Sequence, residues 1–160
     1  MKLFRTMPIL FLALLAMPVF GATCSVTATG VSFGTYIPNQ AMPADSAGSV
    51  TMVCLKGVLD TLPLTVTYSI NINRGSSSSY SPREMTSGAN TLRYNLYRDA
   101  SRLNVWGDTT GGTSNVTGAL QLQAPLGSAS VMHNVYSRIF ASQNAVPGIY
   151  ADSIVVTVTY

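Results

Sequence analysis

The segment Ser153-Ile154-Val155-Val156-Thr157-Val158-Thr159-Tyr160, at the end of the sequence, is β-branched or aromatic almost throughout. In an extended chain, successive side chains point to opposite faces, and here one face carries the larger apolar residues, Ile154, Val156, Val158 and Tyr160. This period of two predicts a half-buried β-strand over 150–160. Because an apolar strand with an unpaired edge tends to associate, we expect this strand to be covered, and what covers it bears on the function.

Residues 1–21 have the pattern of a secretory signal peptide. Two positive charges, Lys2 and Arg5, precede an uncharged apolar run of 13 residues, 8–20. An N-terminal membrane anchor is the alternative, but a membrane-spanning helix needs about 20 apolar residues. We therefore expect cleavage after residue 21, within one residue either way, and one exported domain over 22–160.

The charge balance argues against nucleic acid as a partner. The sequence has nine Lys and Arg residues and six Asp and Glu residues. Two of the basic residues, Lys2 and Arg5, lie in the signal segment, so the mature domain keeps seven and a net charge of +1. Binding a phosphate backbone needs dense clusters of Lys and Arg, which this sequence lacks.

Cys24 and Cys54 are the two cysteines of the chain. In an oxidising compartment a disulfide between them is the main expectation. A metal site or a catalytic thiol is the alternative, but the single histidine, His133, lies far away in sequence. Because Cys24 begins the first predicted strand and Cys54 ends the second, we expect these strands to pair or to face each other. No cofactor is expected.

The remaining pattern predicts an all-β domain. The clearest internal strand is 64–72, where large apolar residues alternate with polar ones. Further strands are predicted at 24–33, 49–55, 91–97, 131–140 and 150–160, and the segment 119–124 is ambiguous. The Ser-rich segment Ser76–Ser79 predicts a loop. Short strands at this spacing predict a sandwich of two packed sheets.

No catalytic constellation stands out in the sequence. It has no G-x-S-x-G sequence, no pair of histidines and no phosphate-binding loop before a helix. Asp99 and Asp108 could form a carboxylate pair, but an aspartate in a turn usually caps backbone N–H groups. We expect His133 to be an exposed polar residue, and we expect the protein not to be an enzyme.

Trp106, the single tryptophan, has two interpretations. It is either a buried anchor that hydrogen-bonds through its N–H group, or a residue that recognises a sugar or a surface. Trp106 lies between Val105 and Gly107 in a short element bounded by turns, which favours the buried anchor. Surface recognition is the weaker interpretation.

A longer set of motifs resembles a known family. The segment Thr91-Leu92-Arg93-Tyr94-Asn95-Leu96-Tyr97-Arg98-Asp99-Ala100-Ser101-Arg102, followed by Val105-Trp106-Gly107-Asp108 and Gly111-Gly112-Thr113, is similar to the central signature of the spore coat protein U family. Other motifs agree in order, among them Val31-Ser32-Phe33-Gly34-Thr35-Tyr36 and Pro147-Gly148-Ile149-Tyr150-Ala151-Asp152. The resemblance covers nearly all of residues 22–160.

The family includes subunits of archaic chaperone–usher pili, which act in adhesion and biofilm formation. The resemblance implies an incomplete immunoglobulin-like β-sandwich that lacks its final strand. It implies an acceptor groove lined by the terminal strand through Ile154, Val156, Val158 and Tyr160. The implied partners are a periplasmic chaperone, an outer-membrane usher and other pilus subunits, which bind through an incoming donor strand. The implied location is the periplasm, then the cell surface in a fimbrium or the medium.

The sequence departs from the family pattern before the first cysteine, where fibre-forming members have a donor segment. Cleavage after residue 21 leaves only Ala22 and Thr23 before Cys24. Two residues, at about 3.3 Å each, cannot fill a groove that takes a strand of about five. We expect a subunit that accepts a strand without donating one, at the tip or as a minor component. The alternative is a stand-alone secreted spore-coat or adhesin module that binds a surface or a sugar.

Overall fold

The computed structural model describes residues 21–57, 61–123 and 126–160, so the predicted signal peptide lies outside the described residues except for Gly21. The described residues form eight strands: β1 (Ala22–Thr29), β2 (Ala44–Lys56), β3 (Leu64–Ile72), β4 (Arg83–Ser87), β5 (Asn90–Tyr97), β6 (Val116–Leu122), β7 (Ser128–Ile139) and β8 (Val156–Thr159). They contain no helix, which confirms the all-β class. A helix long and apolar enough to cross a membrane is accordingly absent from these three ranges.

The strands form two antiparallel sheets. The larger sheet has the order β1-β2-β7-β5-β4, and the smaller has the order β6-β3-β8. One hydrophobic core lies between them and draws on both sheets, through residues such as Val50, Met52, Ile70, Ile72 and Leu96. The arrangement agrees with the immunoglobulin-like sandwich that the resemblance implies, with β8 as an edge strand.

Several predicted strands are confirmed by the structure. The observed β3 has the predicted bounds, because its alternation is regular along the whole segment. In β2, Val50, Met52 and Cys54 are buried on one face, as predicted. The prediction missed β4, and β6 begins earlier than the ambiguous segment suggested.

The first two strands pair with each other, which confirms one of the two predicted arrangements. They are antiparallel, and Cys24 lies directly opposite Cys54 in their ladder. The two residues form a disulfide bond. The bond therefore joins the edge strand β1 to the interior of the larger sheet.

Several predicted strand boundaries are wrong. β2 begins at Ala44 rather than at residue 49, and β7 begins at Ser128 rather than at residue 131. The first strand ends at Thr29 rather than at residue 33, because the chain leaves the sheet and crosses over Gly48 in β2. The last strand is a regular ladder only over Val156–Thr159. Before it, Gly148 pairs with Tyr36 and Ala151 pairs with Thr86 in β4, so the segment changes from the larger sheet to the smaller one.

Candidate functional site

A groove of about 450 Å³ opens between two segments, 28–35 and 149–156. We name them the first wall and the second wall. The floor between the walls consists of buried core side chains from both sheets: Val50, Ile72, Met85, Tyr94, Leu96 and Val135. The sandwich is therefore open to its own core along this line.

The two walls run antiparallel, and the chain segments that continue them are hydrogen-bonded beyond each end of the groove. At one end, the amide N of Tyr36 donates to the carbonyl O of Gly148 at 2.8 Å, and the amide N of Gly148 donates back at 3.3 Å. Near the other end, the hydroxyl of Tyr160 donates to the carbonyl O of Cys24 at 3.4 Å. Tyr36 follows Cys24 by twelve residues, and Gly148 precedes Tyr160 by twelve. The walls thus keep one alignment and separate between these contacts.

The smaller sheet presents a free strand edge on this side. β8 pairs with β3 through four residue pairs, from Ser69–Thr159 to Ile72–Val156, and no second strand flanks it in the described sheet. A strand edge carries a row of backbone N–H and C=O groups that another strand can pair with. The groove therefore combines a free backbone edge with an apolar floor.

Gly48 determines where the first wall lies. A Cβ atom built on Gly48 would lie 2.4 Å from the carbonyl O of Thr29 and 3.2 Å from a side-chain carbon of Val31. Only a residue without a side chain lets the chain cross β2 this closely. From this crossing, Val31 and Phe33 pack against the core.

The end of the groove at Tyr36 is closed by tyrosines. Tyr36 is buried, and its hydroxyl donates to the carbonyl O of Gln143 at 2.7 Å. Its ring makes an edge contact with the ring of Tyr150, with centroids 6.1 Å apart. The hydroxyl of Tyr150 donates to the carbonyl O of Val146 at 2.7 Å.

Asp152 anchors the second wall, and the sequence analysis did not identify it. Its Oδ2 accepts from the hydroxyl of Tyr94 on the floor at 2.7 Å. Its Oδ1 accepts from the amide N and the hydroxyl of Ser76 at 2.9 and 3.0 Å. Burial, together with the hydrogen bond to Asp152, raises the pKa of the Tyr94 hydroxyl well above its usual value. These bonds also hold the Ser-rich loop, so its start is a fixed part of the wall.

The four residues predicted to line a groove lie at different depths. Ile154 and Val156 line the cavity. Val158 packs against the core farther along β8, outside the cavity. Tyr160 is 56% exposed, and its hydroxyl donates to the carbonyl O of Cys24 in β1.

Trp106 is completely buried, so the weaker interpretation, recognition of a sugar or surface, is wrong. Its Nε1 donates to the carbonyl O of Ile70 at 3.0 Å, and its amide N donates to the carbonyl O of Leu96 at 2.9 Å. The side chain thus joins the loop after β5 to the smaller sheet.

A buried arginine lies beside Trp106. Arg83 donates to the carbonyl O of Trp106 at 2.7 Å, to Oδ1 of Asn95 at 2.8 Å and to the carbonyl O of Asn73 at 3.0 Å. Its guanidinium stacks 4.9 Å from the ring centre of Tyr80. Burial lowers the pKa of Arg83, while the hydrogen bonds satisfy its donors. Because an arginine is usually exposed, this buried role could not be predicted from the sequence.

The residues considered for catalysis do not form a site. His133 is half-buried rather than exposed, because its Nε2 lies 2.9 Å from the Tyr68 hydroxyl on the facing sheet. Oδ1 of Asp99 accepts from the amide N of Asn104 at 2.8 Å, and Oδ1 of Asp108 accepts from the amide N of Thr110 at 3.0 Å. Both aspartates therefore cap turns. Among the described residues, no three His, Cys, Asp or Glu side chains are placed to hold a metal ion.

Comparison with known proteins gives three findings. The family model for the Spore Coat Protein U domain matches residues 10–157. The chain is 32% identical over 151 residues to Protein U of Myxococcus xanthus, covering 88% of this chain and 79% of that protein. A solved structure is also similar: the CsuC–CsuE chaperone–tip adhesion subunit pre-assembly complex from archaic chaperone–usher Csu pili of Acinetobacter baumannii.

The likeness to that complex concerns the fold. The TM-score is 0.53 at 21% sequence identity, and the match covers 87% of this chain. This chain spans 40% of the solved chain that it matches.

Proposed function

Because the chain belongs to the spore coat protein U domain family, we propose that it is an exported structural subunit of a chaperone–usher pilus. Its groove accepts a β-strand from another chain, and that strand completes the sandwich. One observation carries the proposal: the groove reaches buried core side chains of both sheets beside the free edge of β8.

The chemistry of the groove suits a strand better than a small molecule. An incoming strand would pair its backbone with β8 and point every second side chain at the floor. The floor is mostly apolar, so alternating Val, Ile or Leu side chains fit it. Each buried CH₂ group contributes about 0.8 kcal/mol, so burial of these side chains, together with backbone hydrogen bonds to β8, offsets the entropy of ordering a short strand.

In this proposal, a chaperone strand and then a subunit strand fill the groove in succession. After export to the periplasm, a chaperone lends its strand to the new subunit. At the outer-membrane usher, the strand of another subunit replaces it, and the protein reaches the cell surface in a fimbrium that serves adhesion and biofilm formation. Without an occupant, the edge of β8 stays free to pair with other chains, which explains why a chaperone is needed.

The subunit accepts a strand without donating one. β1 begins at Ala22 and pairs with β2 along its whole length, so residues 22–29 are used within its own sheet. Cleavage after residue 21 then leaves no segment to donate, and the subunit belongs at the tip or among minor components. N-terminal sequencing of the exported protein tests this step. A mature start ten or more residues before Ala22 would contradict it.

A pair of variants on one strand tests the groove. Ile154 lines the cavity, whereas its neighbour Val155 is 58% exposed and points away from it. The probe is a nine-residue peptide of alternating Val and Thr, added to the full exported chain. We expect it to raise the melting temperature of the wild type and of Val155→Asp. Ile154→Asp should bind it at least tenfold more weakly, because the aspartate would lie on an apolar floor.

Export of the protein with and without a chaperone distinguishes this proposal from the stand-alone alternative. A pilus subunit should aggregate or be degraded when it is exported without a chaperone, and co-production of a chaperone or the peptide should rescue it. A monodisperse protein that is stable alone and indifferent to the peptide would instead favour a secreted module.

A further inference from the structure

The second wall turns every second side chain toward the floor of the groove. Four of its side chains are partly buried, and the residues between them are exposed: the buried set is Tyr150, Asp152, Ile154 and Val156. All four line the cavity. Residues that lie opposite each other in a strand pair point to the same face, so an inserted strand would place its inward side chains at these four levels.

One of the four levels is polar. Asp152 is the single charged residue among the described residues that line the groove, and the other three levels are apolar or aromatic. Its carboxylate reaches the floor, because Oδ2 accepts from the Tyr94 hydroxyl at 2.7 Å. A strand with only apolar side chains would cover this carboxylate without offering it a donor, which is unfavourable for a charged group.

The two oxygens of Asp152 differ in how many hydrogen bonds they accept. Oδ1 accepts three, from the amide N and the hydroxyl of Ser76 and from the amide N of Ser153 at 2.8 Å. Among the described residues, Oδ2 accepts one, from Tyr94. A carboxylate oxygen has two lone pairs, so Oδ2 can accept a second hydrogen bond on the side of the groove.

The buried Arg83 makes a neutral donor a better fit than a cation. Arg83 lies opposite Tyr94 in the β4–β5 ladder, and its charge interacts favourably with the Asp152 carboxylate. A second cation would lose its water beside a carboxylate whose charge is already offset by this arginine. A Ser or Thr hydroxyl is small, neutral and able to donate the one bond that Oδ2 can still accept.

We propose that the strand inserted by another subunit carries one Ser or Thr among its inward apolar residues, and that Oδ2 of Asp152 accepts from this hydroxyl. The inference rests on the proposed function and concerns the subunit strand, which is the final occupant of the groove. Because Asp152 lies between Tyr150 at the closed end and Ile154, the hydroxyl is the second inward side chain from that end. A strand shifted along the groove would bury its hydroxyl on an apolar part of the floor, so the bond selects both a sequence and a register.

The test exchanges single side chains in a probe peptide. The parent is the nine-residue peptide of alternating Val and Thr that begins and ends with Val. Three further peptides each have one interior Val replaced by Thr, which has nearly the same shape but adds a hydroxyl. The affinity of each peptide is measured for the full exported chain.

In the wild type, one exchange should bind at least as tightly as the parent, because its hydroxyl meets Oδ2 of Asp152. Its place is the third or the seventh residue of the peptide, depending on the direction of the strand. The other two exchanges should each weaken binding by about fivefold or more, because they bury a hydroxyl on the apolar floor.

Two matched variants then assign the acceptor. Both carry Tyr94→Phe, so that no tyrosine hydroxyl can replace the carboxylate as a partner, and one adds Asp152→Ala whereas the control adds Val155→Ala, on the exposed side of the same wall. A loosened wall lowers the affinity of all four peptides together, so the ranking of the peptides is the readout. The control should keep the wild-type ranking, and all three exchanges should rank below the parent in the variant with Asp152→Ala.

Equal weakening by all three exchanges in the wild type would overturn the inference and leave the groove proposal intact, and this comparison does not depend on any variant folding. A favoured exchange that persists with Asp152→Ala, or that is lost in the control as well, would also overturn the inference, because the Asp152 carboxylate would not be the acceptor. A parent peptide that does not bind the wild type would overturn both proposals.

Discussion

The two edges of the larger sheet differ in how the sandwich is closed. At the β4 edge, the chain seals itself: Thr86 exchanges two backbone hydrogen bonds of 2.9 Å with Ala151, and Arg83 binds three acceptors beneath it. At the β1 edge, Val26 lies opposite the buried Met52 in the ladder but is itself 37% exposed. The first wall then leaves the sheet beside the open groove.

The two edges differ in the groups that complete them. Polar side chains complete the β4 edge by binding backbone groups that would otherwise be buried without partners. The groove beside β1 and β8 has an apolar floor and a free backbone edge, and within the described residues no segment fills it. A strand from another chain supplies a backbone partner for the free edge and side chains that cover the apolar floor. The β4 edge is therefore stabilised by contacts within the chain, and the groove is stabilised by contacts with a second chain.

The largest expected effect is at the β4 edge, from Arg83→Met. The change keeps a long apolar stem but removes the Arg83 donors from the carbonyl O atoms of Trp106 and Asn73, at about 1–3 kcal/mol each, while Oδ1 of Asn95 keeps its bond from the amide N of Leu96. We expect the free energy of unfolding of the peptide-filled protein to fall by about 3 kcal/mol or more, as measured in urea. Arg93→Met is the control, because the Arg93–Glu84 ion pair is long, at 3.7 Å, and exposed. Equal losses in the two variants would contradict a sealing role for Arg83.

Trp106→Phe should have the next largest effect. The ring stays apolar, but Ile70 loses the donor to its carbonyl O and a small cavity forms. We expect a loss of about 2–3 kcal/mol in the free energy of unfolding and little change in peptide affinity. Tyr136→Phe, on a half-buried side chain, is the control and should cost less. A large drop in peptide affinity for Trp106→Phe would mean that the two edges are coupled.

At the open edge, Gly48→Ala should act on the groove. The new Cβ would lie 2.4 Å from the carbonyl O of Thr29, so the first wall must shift. We expect about a tenfold loss in peptide affinity, equal to about 1.4 kcal/mol. Thr51→Ala is the control, because Thr51 lies on the same strand and does not line the groove. Unchanged affinity in Gly48→Ala would show that the wall position does not limit binding.

The smallest expected effect concerns the ion pair between Arg138 on β7 and Asp45 on β2. Because neither strand is at an edge of the larger sheet, removing the pair should affect the two edges equally. The hydrogen bond from Arg138 holds the pKa of Asp45 below its usual value of 3.8. Because the folded pKa lies below the unfolded one, the stabilisation is present above about pH 4 and is lost as the pH falls through the folded pKa. The pair is exposed to solvent, so we expect less than about 1 kcal/mol. Urea unfolding at pH 6 and pH 3, compared between the wild type and Asp45→Asn, measures it. An equal pH dependence in the two proteins would contradict this role.

The sequence predicted the strands whose alternation is regular. In β3, apolar and polar residues alternate from Leu64 to Ile72, so the strand and its buried face were both readable. The prediction failed where one extended segment changes partners. Residues 150–160 are extended, but Ala151 pairs with β4 and Val156 pairs with β3, and periodicity carries no information about partners.

The candidate site was predictable in part. Ile154 and Val156 were placed on one face by their spacing, and both line the groove. The first wall was not foreseen, because its position depends on the crossing at Gly48. Asp152 and Arg83 were missed because their partners, such as Tyr94 and Asn73, are distant in sequence or are backbone atoms.

The sequence by itself determined the all-β class, the cysteine pair and the family, because these follow from local alternation, composition and ordered motifs. Only the tertiary structure decided that the sandwich is sealed beside β4 and open beside β8. That decision depends on which distant segments meet, on the space above Gly48 and on where each buried donor finds its acceptor. The period of two predicts a strand over 150–160, and the fold makes part of that segment one wall of a groove.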